Sequence, residues 1–240
     1  MKPRKKVAIH QPDFFPWSGF FNKYLKSDIF VILDNVQFTK GPPGDWTNRT
    51  LISNCGTKKW ITLPIVRSYN GTKSIREISI YSPQNSKKKI LRTLEGLYGN
   101  HCSYSQVIKE VSELILFPSE SLATYNQKVI LQLIEMLQLP KKEILLASEM
   151  SSSATGTALL AEITINVGGE IYISGEGGKK YLDVDRLRES GIELNWIGYS
   201  QPEYTQCGLK KFLPGLSILD TLMNLGIAGT RSYLLAEMDN

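Results

Sequence analysis

Two short apolar runs, "KVAIH" at residues 6–10 and "IFVILD" at 29–34, flank "PWSGFFNKYLKSD", which is patterned as a helix. In that segment Pro16 suits a first helical turn, and Phe20, Tyr24 and Leu25 fall on one face despite Gly19. Both runs are continuous rather than alternating, as strands covered on two faces read. A strand, a short helix and a strand in so few residues form a βαβ unit. Such a unit implies a right-handed crossover and parallel strands.

The same alternation runs through much of the chain. "KKWITLPIV" (58–66) reads as a third buried strand, stopped by Pro64. Strands follow at "EILLAS" (143–148), "EIYISG" (170–175) and "IELNWIGY" (192–199), with helices around 156–167 and through "YLDVDRLRES" (181–190), the latter closed by Gly191. From about 85 to 139 the character changes. "NSKKKILRTLEGLYG", "YSQVIKEVSELILF" and "SESLATYNQKVILQLIEMLQL" are successive helical patterns, with a stop at Pro140. "LPGLSILDTLMNLG" (213–226) is a short apolar helix ending at Gly226. The expectation is a single α/β domain over 1–240, with a mostly parallel sheet and residues 85–140 as a helical insertion or lid.

Composition narrows the function classes. No stretch approaches the length of apolar sequence a transmembrane helix needs, and "MKPRKK" followed by "VAI" is too short in its apolar part for a signal peptide, so a cytoplasmic location is expected. Cys55, Cys102 and Cys207 are an odd number at wide separations, which fits a reducing compartment and neither a disulfide framework nor a metal site. The net charge of +5 comes from small scattered groups such as "KPRKK", "KKK" at 87–89 and "KK" at 179–180. No basic helix, RNA-binding aromatic signature or finger spacing accompanies them, and no DNA partner is expected; they fit solvated surface or a phosphate-bearing small ligand.

In open parallel sheets ligands bind at the carboxyl ends of the strands. Three stretches are expected there: His10 to Gly19, Asp34 to Arg49, and "SGEGGKKYLD" from Ser174. His10 is either a turn cap before Pro12, or a group that accepts a proton or contacts phosphate. Asp34, Asn35 and Gln37 close an apolar strand, where polar groups must find partners in a ligand or in loop backbone. "GPPGDWTNR" offers the flat Trp46, then Asn48, then Arg49 with a fork suited to phosphate or carboxylate. Ser174, Gly175, Gly177 and Gly178 make a glycine-rich turn able to cradle phosphate, with Lys179 and Lys180 as cations; the spacing matches neither Walker A nor GxGxxG. Tyr204, Gln206, Ser217 and Asp220 are polar residues amid apolar ones, with Ser217 read as a helix N-cap and Asp220 in its first turn.

"IHQPDFFPWSGFFNKYLKSDIFVILDNVQF", "WTNR", "YISGEGGKKYLD", "YTQ" and "FLPGLSILDTLMNLG" together resemble the WbqC-like protein family over nearly the whole chain. The likeness is most specific in the first 50 residues. It falls on His10, Gln11, Pro12, Pro16 and Gly19, then on Asp34, Gln37, Asn48 and Arg49, and later on Gly175, Tyr181, Tyr204, Ser217 and Asp220. The resemblance implies a part in bacterial O-antigen (lipopolysaccharide) and other surface-polysaccharide biosynthesis, as a glycine transferase acylating an amino-sugar or nucleotide-sugar amine. The family itself supplies no catalytic roles; from their placement at one sheet edge, His10 and Asp34 are the expected catalytic groups. Gln11, Gln37, Trp46, Asn48, Arg49, Tyr181, Tyr204 and Gln206 would bind substrate, and Ser174, Gly175, Gly177, Gly178 and Lys179 would hold phosphate. The loop "TKGPPGDW" departs from the family by its length.

The first segment is also similar to the HUP-type nucleotidyltransferases, pantothenate synthetases among them, which activate a carboxylate as an adenylate. That likeness implies a Rossmann-like fold and ATP as a candidate cosubstrate. This chain lacks the second histidine of their His-x-Gly-His signature, with Ser18 and Gly19 near its place. The activated amino-acid donor stays open among an ATP-derived adenylate, an aminoacyl-tRNA and a carrier thioester.

Overall fold

A computed structural model of the chain describes residues 3–39 and 46–236. In chain order its strands and helices are β1 (Lys6–His10), α1 (Ser18–Leu25), β2 (Ile29–Ile32), β3 (Arg49–Asn54), β4 (Thr57–Thr62), α2 (Pro83–Tyr98), α3 (Tyr104–Leu116) and α4 (Leu122–Met136). They continue with β5 (Glu143–Leu146), α5 (Gly156–Asn166), β6 (Ile171–Gly175), α6 (Val184–Glu189), β7 (Glu193–Ile197) and α7 (Ile218–Leu235). These elements fall into two compact units that exchange the chain several times. The first holds 1–11, 19–35 and 140–200; the second holds 12–18, 36–139 and 201–240.

The first unit is a five-stranded, all-parallel sheet in the order β5-β2-β1-β6-β7. Counting only its own strands, that order is 3-2-1-4-5, a doubly wound Rossmann-like sheet with its switch point between β1 and β6. The continuous apolar runs sit where burial on both faces demands them: Val7, Ala8 and Ile9 of β1 and all four residues of β2 are buried. Each of these side chains other than Ala8 contributes roughly 1.5–3 kcal/mol of transfer free energy. β5 lies at an edge, and none of its residues is fully buried.

In the second unit β3 and β4 form an antiparallel hairpin, with α2, α3, α4 and α7 as its helices. The hairpin closes on Cys55 and Gly56, both at positive φ (47° and 83°), as a two-residue primed turn requires. The expected third buried strand is corrected here. Only Ile61 of the six β4 residues is buried, and the strand pairs antiparallel with β3, which its mixed "RTLISN" does not announce. Helix α1 starts at Ser18 rather than Pro16, because Trp17 bridges Ser217 and the Pro16 carbonyl accepts the Ile218 amide. Gly226 interrupts α7 without ending it. Its φ of 71° and ψ of 180° form a kink beyond which the helix resumes to Leu235.

The segment Pro12–Ser18 belongs to this second unit. Phe14 and Phe15 are buried, and Phe14 stacks on Tyr125 of α4. Asn126 Nδ2 donates to the carbonyls of Pro12 (2.7 Å) and Thr47 (2.6 Å). The Phe15 carbonyl accepts from Ser217 Oγ (2.7 Å) and Thr50 Oγ1 (3.1 Å). Among the described residues no helix is long and apolar enough to cross a membrane.

Candidate functional site

At the switch point of the first unit, His10 ends β1 and Gly175 ends β6, on neighbouring parallel strands. Extending the Ala8–Ile173 register by two residues sets His10 level with Gly175. His10 is half-buried, with its ring edge-on to Phe20 at 4.9 Å. Its Nδ1 lies 2.9 Å from the Gln11 carbonyl, which only an N–H can satisfy, so Nε2 carries the lone pair of the neutral ring. Burial pushes the His10 pKa down to about 4; the Lys23 ammonium acts in the same direction and the bond to Gln11 opposes both. At neutral pH the ring is therefore an uncharged acceptor. Lys23 is held nearby by a 2.7 Å bond from Nζ to the Ile9 carbonyl.

The turn after β6 is a short 3-10 segment, Glu176–Lys180, and α6 opens only at Val184, with Asp183 capping the Arg186 amide. The helix expected from residue 181 is thus shorter and later. The glycines of the turn differ in why they are there. A Cβ on Gly178 would lie 2.3 Å from Ser174 Oγ and 2.9 Å from Leu182 Cδ1, so packing requires the glycine. A Cβ on Gly175 or Gly177 would meet nothing within 4 Å, and neither residue has positive φ, so the protein's own packing gives no reason for them. Ser174 is buried, Lys179 pairs with Glu176 at 2.6 Å, and Tyr181 is exposed.

Asp34 lies two residues beyond β2 on the same sheet edge. It is buried; Oδ1 accepts the Ser148 amide (3.0 Å) and Oδ2 the Ser148 hydroxyl (2.8 Å). Asn35 donates to the Ala147 carbonyl at 3.2 Å. The two side chains tie the end of β2 to the turn after β5.

The remaining expected site residues belong to the second unit. Gln37 is exposed and bridges Ser74 through its backbone. Asn48 is buried and donates to the Leu63 carbonyl at 3.0 Å. Arg49 lies over the ring of Trp60 at 4.2 Å, and Trp46 meets that ring edge-on at 4.9 Å. Tyr204 and Gln206 are turned onto a buried carboxylate: Asp220 accepts from Tyr204 Oη (2.6 Å), Tyr98 Oη (2.6 Å) and Gln206 Nε2 (3.2 Å). Ser217 caps α7 by accepting the Leu219 amide at 3.2 Å. Residues 40–45, most of the loop that departs from the family in length, lie outside the described residues. Trp60 was not singled out by sequence reasoning; the signal was an aromatic residue alternating with lysine in "KKWIT". Among the described residues no group of acidic, histidine or cysteine side chains is arranged to hold a metal ion.

A doubly wound parallel sheet carrying a histidine and a glycine turn at its switch point defines a Rossmann-like α/β protein. The chain belongs to the WbqC-like protein family, whose model matches residues 11–232. It is 29% identical over 225 residues to the uncharacterized protein Rv1507c of Mycobacterium tuberculosis, covering 92% of this chain and 94% of that protein. No solved structure matches.

Proposed function

We propose that the protein is an aminoacyl or acyl transferase, glycyl by preference, that forms an amide on an amino-sugar or nucleotide-linked amino-sugar in surface-polysaccharide assembly. The observation that carries this reading is the neighbourhood of His10 and the open glycine turn at the sheet's switch point. The amine nitrogen attacks the carbonyl carbon of an activated acyl donor. The C–N bond forms, the bond from carbon to the leaving group breaks, and one amine proton passes to the departing group or to water. His10, neutral with its lone pair on Nε2, accepts a hydrogen bond from that amine and so orients the nitrogen lone pair toward the carbonyl carbon. The amides of the turn around Gly175 and Gly177 hold phosphate, where no side chain blocks a close approach. Asp34 positions the strand ends that frame the site. Membership of the WbqC-like family supports the pathway.

The test is mass spectrometry of reactions holding an amino-sugar nucleotide and glycine, with and without ATP. A mass gain of one glycyl residue is expected, and a gain only with ATP identifies the donor as an adenylate. The variant His10→Ala is expected to lose turnover while keeping its fold; product formation at the wild-type rate removes His10 from the scheme. Both Asp34 oxygens are engaged by Ser148 and His10 is a weak base, which favours a second reading as a sugar-nucleotide binding protein. No product with any donor, together with retained ligand binding, selects that reading.

A further inference from the structure

The hairpin of the second unit has a more covered face, on which only the Lys59 end is exposed, and a more open one, on which only Ser53 is buried. Thr50, Ile52 and Ile61 are buried on the first. On the other, the pairs Arg49–Thr62, Leu51–Trp60 and Ser53–Lys58 set Arg49, Trp60 and Lys58 in a row. Trp60 is 37% exposed. The Arg49 guanidinium carbon lies 4.2 Å from the centre of the indole ring, yet the guanidinium makes no hydrogen bond or ion pair with any described residue. It is a planar fork whose donors no described residue claims. Lys58 stands two residues along β4 from Trp60, about 7 Å away.

The row leads to a second feature. Gly56, in the hairpin turn, approaches Leu209, and Lys58 approaches Gly215. Leu209 lines a cavity of about 400 Å³ together with Tyr204, Thr205, Phe212, Lys210, Lys211 and one acidic residue, Glu203. That volume is in the range of small-molecule sites. The wall is stiff, because Gln206 clamps the loop through two bonds with Leu213 (3.0 and 2.8 Å) and Tyr204 is anchored on Asp220. The ammonium groups of Lys58, Lys210 and Lys211 pair with no carboxylate among the described residues.

We infer that the open face of the β3–β4 hairpin and the adjoining 203–212 cavity form a nucleotide site. A base stacks on the Arg49–Trp60 pair, and its phosphates lie toward Lys58, Lys210 and Lys211. An indole with a cation on its face attracts a base, and lysines that no described carboxylate pairs attract phosphate beyond it. The reason for a nucleotide here rests on the proposed reaction, in the forms of it that use a nucleotide-linked acceptor or a donor carried on RNA. The shared chemistry is a base joined to phosphate.

Calorimetry with UDP, inorganic pyrophosphate and a single-stranded oligouridylate tests the inference on the whole protein. UDP is expected to bind, and more tightly than pyrophosphate. Trp60→Ala is expected to weaken it about tenfold or more, Arg49→Lys several-fold, and Trp60→Phe little, since a phenyl ring still stacks. Lys58→Met combined with Lys210→Met is expected to weaken both UDP and pyrophosphate. Oligouridylate binding tighter than UDP, with a steep salt dependence, assigns the site to an RNA strand; the reverse order assigns it to a free nucleotide. Absence of UDP and oligouridylate binding at millimolar concentration, pyrophosphate binding as tightly as UDP, or UDP affinity unchanged in folded Trp60→Ala and Arg49→Lys would each overturn it. His10→Ala separates the two readings. Lost turnover with intact UDP binding in His10→Ala supports the reaction and leaves the hairpin site standing, whereas a turning-over wild-type protein whose UDP affinity is indifferent to Trp60→Ala overturns the hairpin site alone.

Discussion

The hydroxyl of Tyr98 donates to Oδ1 of Asp220 at 2.6 Å, and both residues are sealed from water. The same hydroxyl accepts the Ser53 amide at 3.0 Å, so one phenol links β3, α2 and α7. On its other side Asp220 holds Tyr204, Gln206 and Asn224, which fixes the loop ahead of α7. Burial and the Asp220 charge push the pKa values of both tyrosines upward, so they stay protonated as donors. Asp220→Asn keeps the shape but turns an amide toward a donor. It is expected to destabilise by roughly 2–4 kcal/mol, and Tyr98→Phe by about 1–2 kcal/mol. Urea unfolding checks both; an unchanged midpoint for Asp220→Asn would show the network to be dispensable.

The elements that were legible in the sequence are those whose burial is uniform. "VAI" and "IFVI" read as strands because every residue faces apolar neighbours, whatever the register. β3 was not legible: Thr50 and Ser53 are buried polar residues, and the strand is defined by pairing with β4 rather than by an apolar run. Nor could pattern show that Pro12–Ser18 leaves the unit containing His10, because that depends on Asn126 and Ser217, more than a hundred residues away. His10 and the glycine turn were readable as strand ends. The engagement of Tyr204 by Asp220 was not, since both residue types suit a ligand equally well.

His10 makes stability depend on pH. Its folded pKa of about 4 lies below the unfolded value of 6.5, so between those limits the unfolded chain binds the extra proton. The contribution is fully present above pH 6.5 and is lost as pH falls toward 4. Chemical denaturation should show the wild type losing on the order of 1–3 kcal/mol across this window relative to His10→Asn, which keeps an N–H donor but cannot titrate. Parallel curves for the two proteins would contradict the burial of a neutral imidazole.

Lys87 gives a second pH window. Its buried Nζ donates to the carbonyls of Phe117 (2.5 Å) and Ser119 (3.3 Å) and lies 4.4 Å from the Tyr125 ring. Burial lowers its pKa from 10.5 to about 8. Between those values the unfolded state is the more protonated, so this contribution grows as pH rises from 8 to 10.5 and is lost as pH falls back through 8. From pH 8 to 9.5 the wild type should gain on the order of 1–2 kcal/mol relative to Lys87→Met. Denaturation midpoints at the two pH values check this, and a constant difference between the proteins would place the ammonium in water.

The glycine turn separates packing from function within two adjacent residues. Gly178→Ala forces a methyl group into Ser174 Oγ, with Leu182 and the Trp196 ring close behind, and is expected to destabilise by about 1–3 kcal/mol. Gly177→Ala adds a methyl group that meets no protein atom within 4 Å and demands no unusual φ, so the melting temperature should be unchanged or slightly raised. If the turn amides hold phosphate, that same methyl group stands where the ligand approaches. Turnover should then fall about tenfold or more while the fold is intact, because positioning errors near 1 Å are worth large factors in rate. Thermal melts paired with initial rates for the two variants distinguish the cases. Full activity in Gly177→Ala would remove the turn from the phosphate site and leave His10 without its neighbour in the reaction.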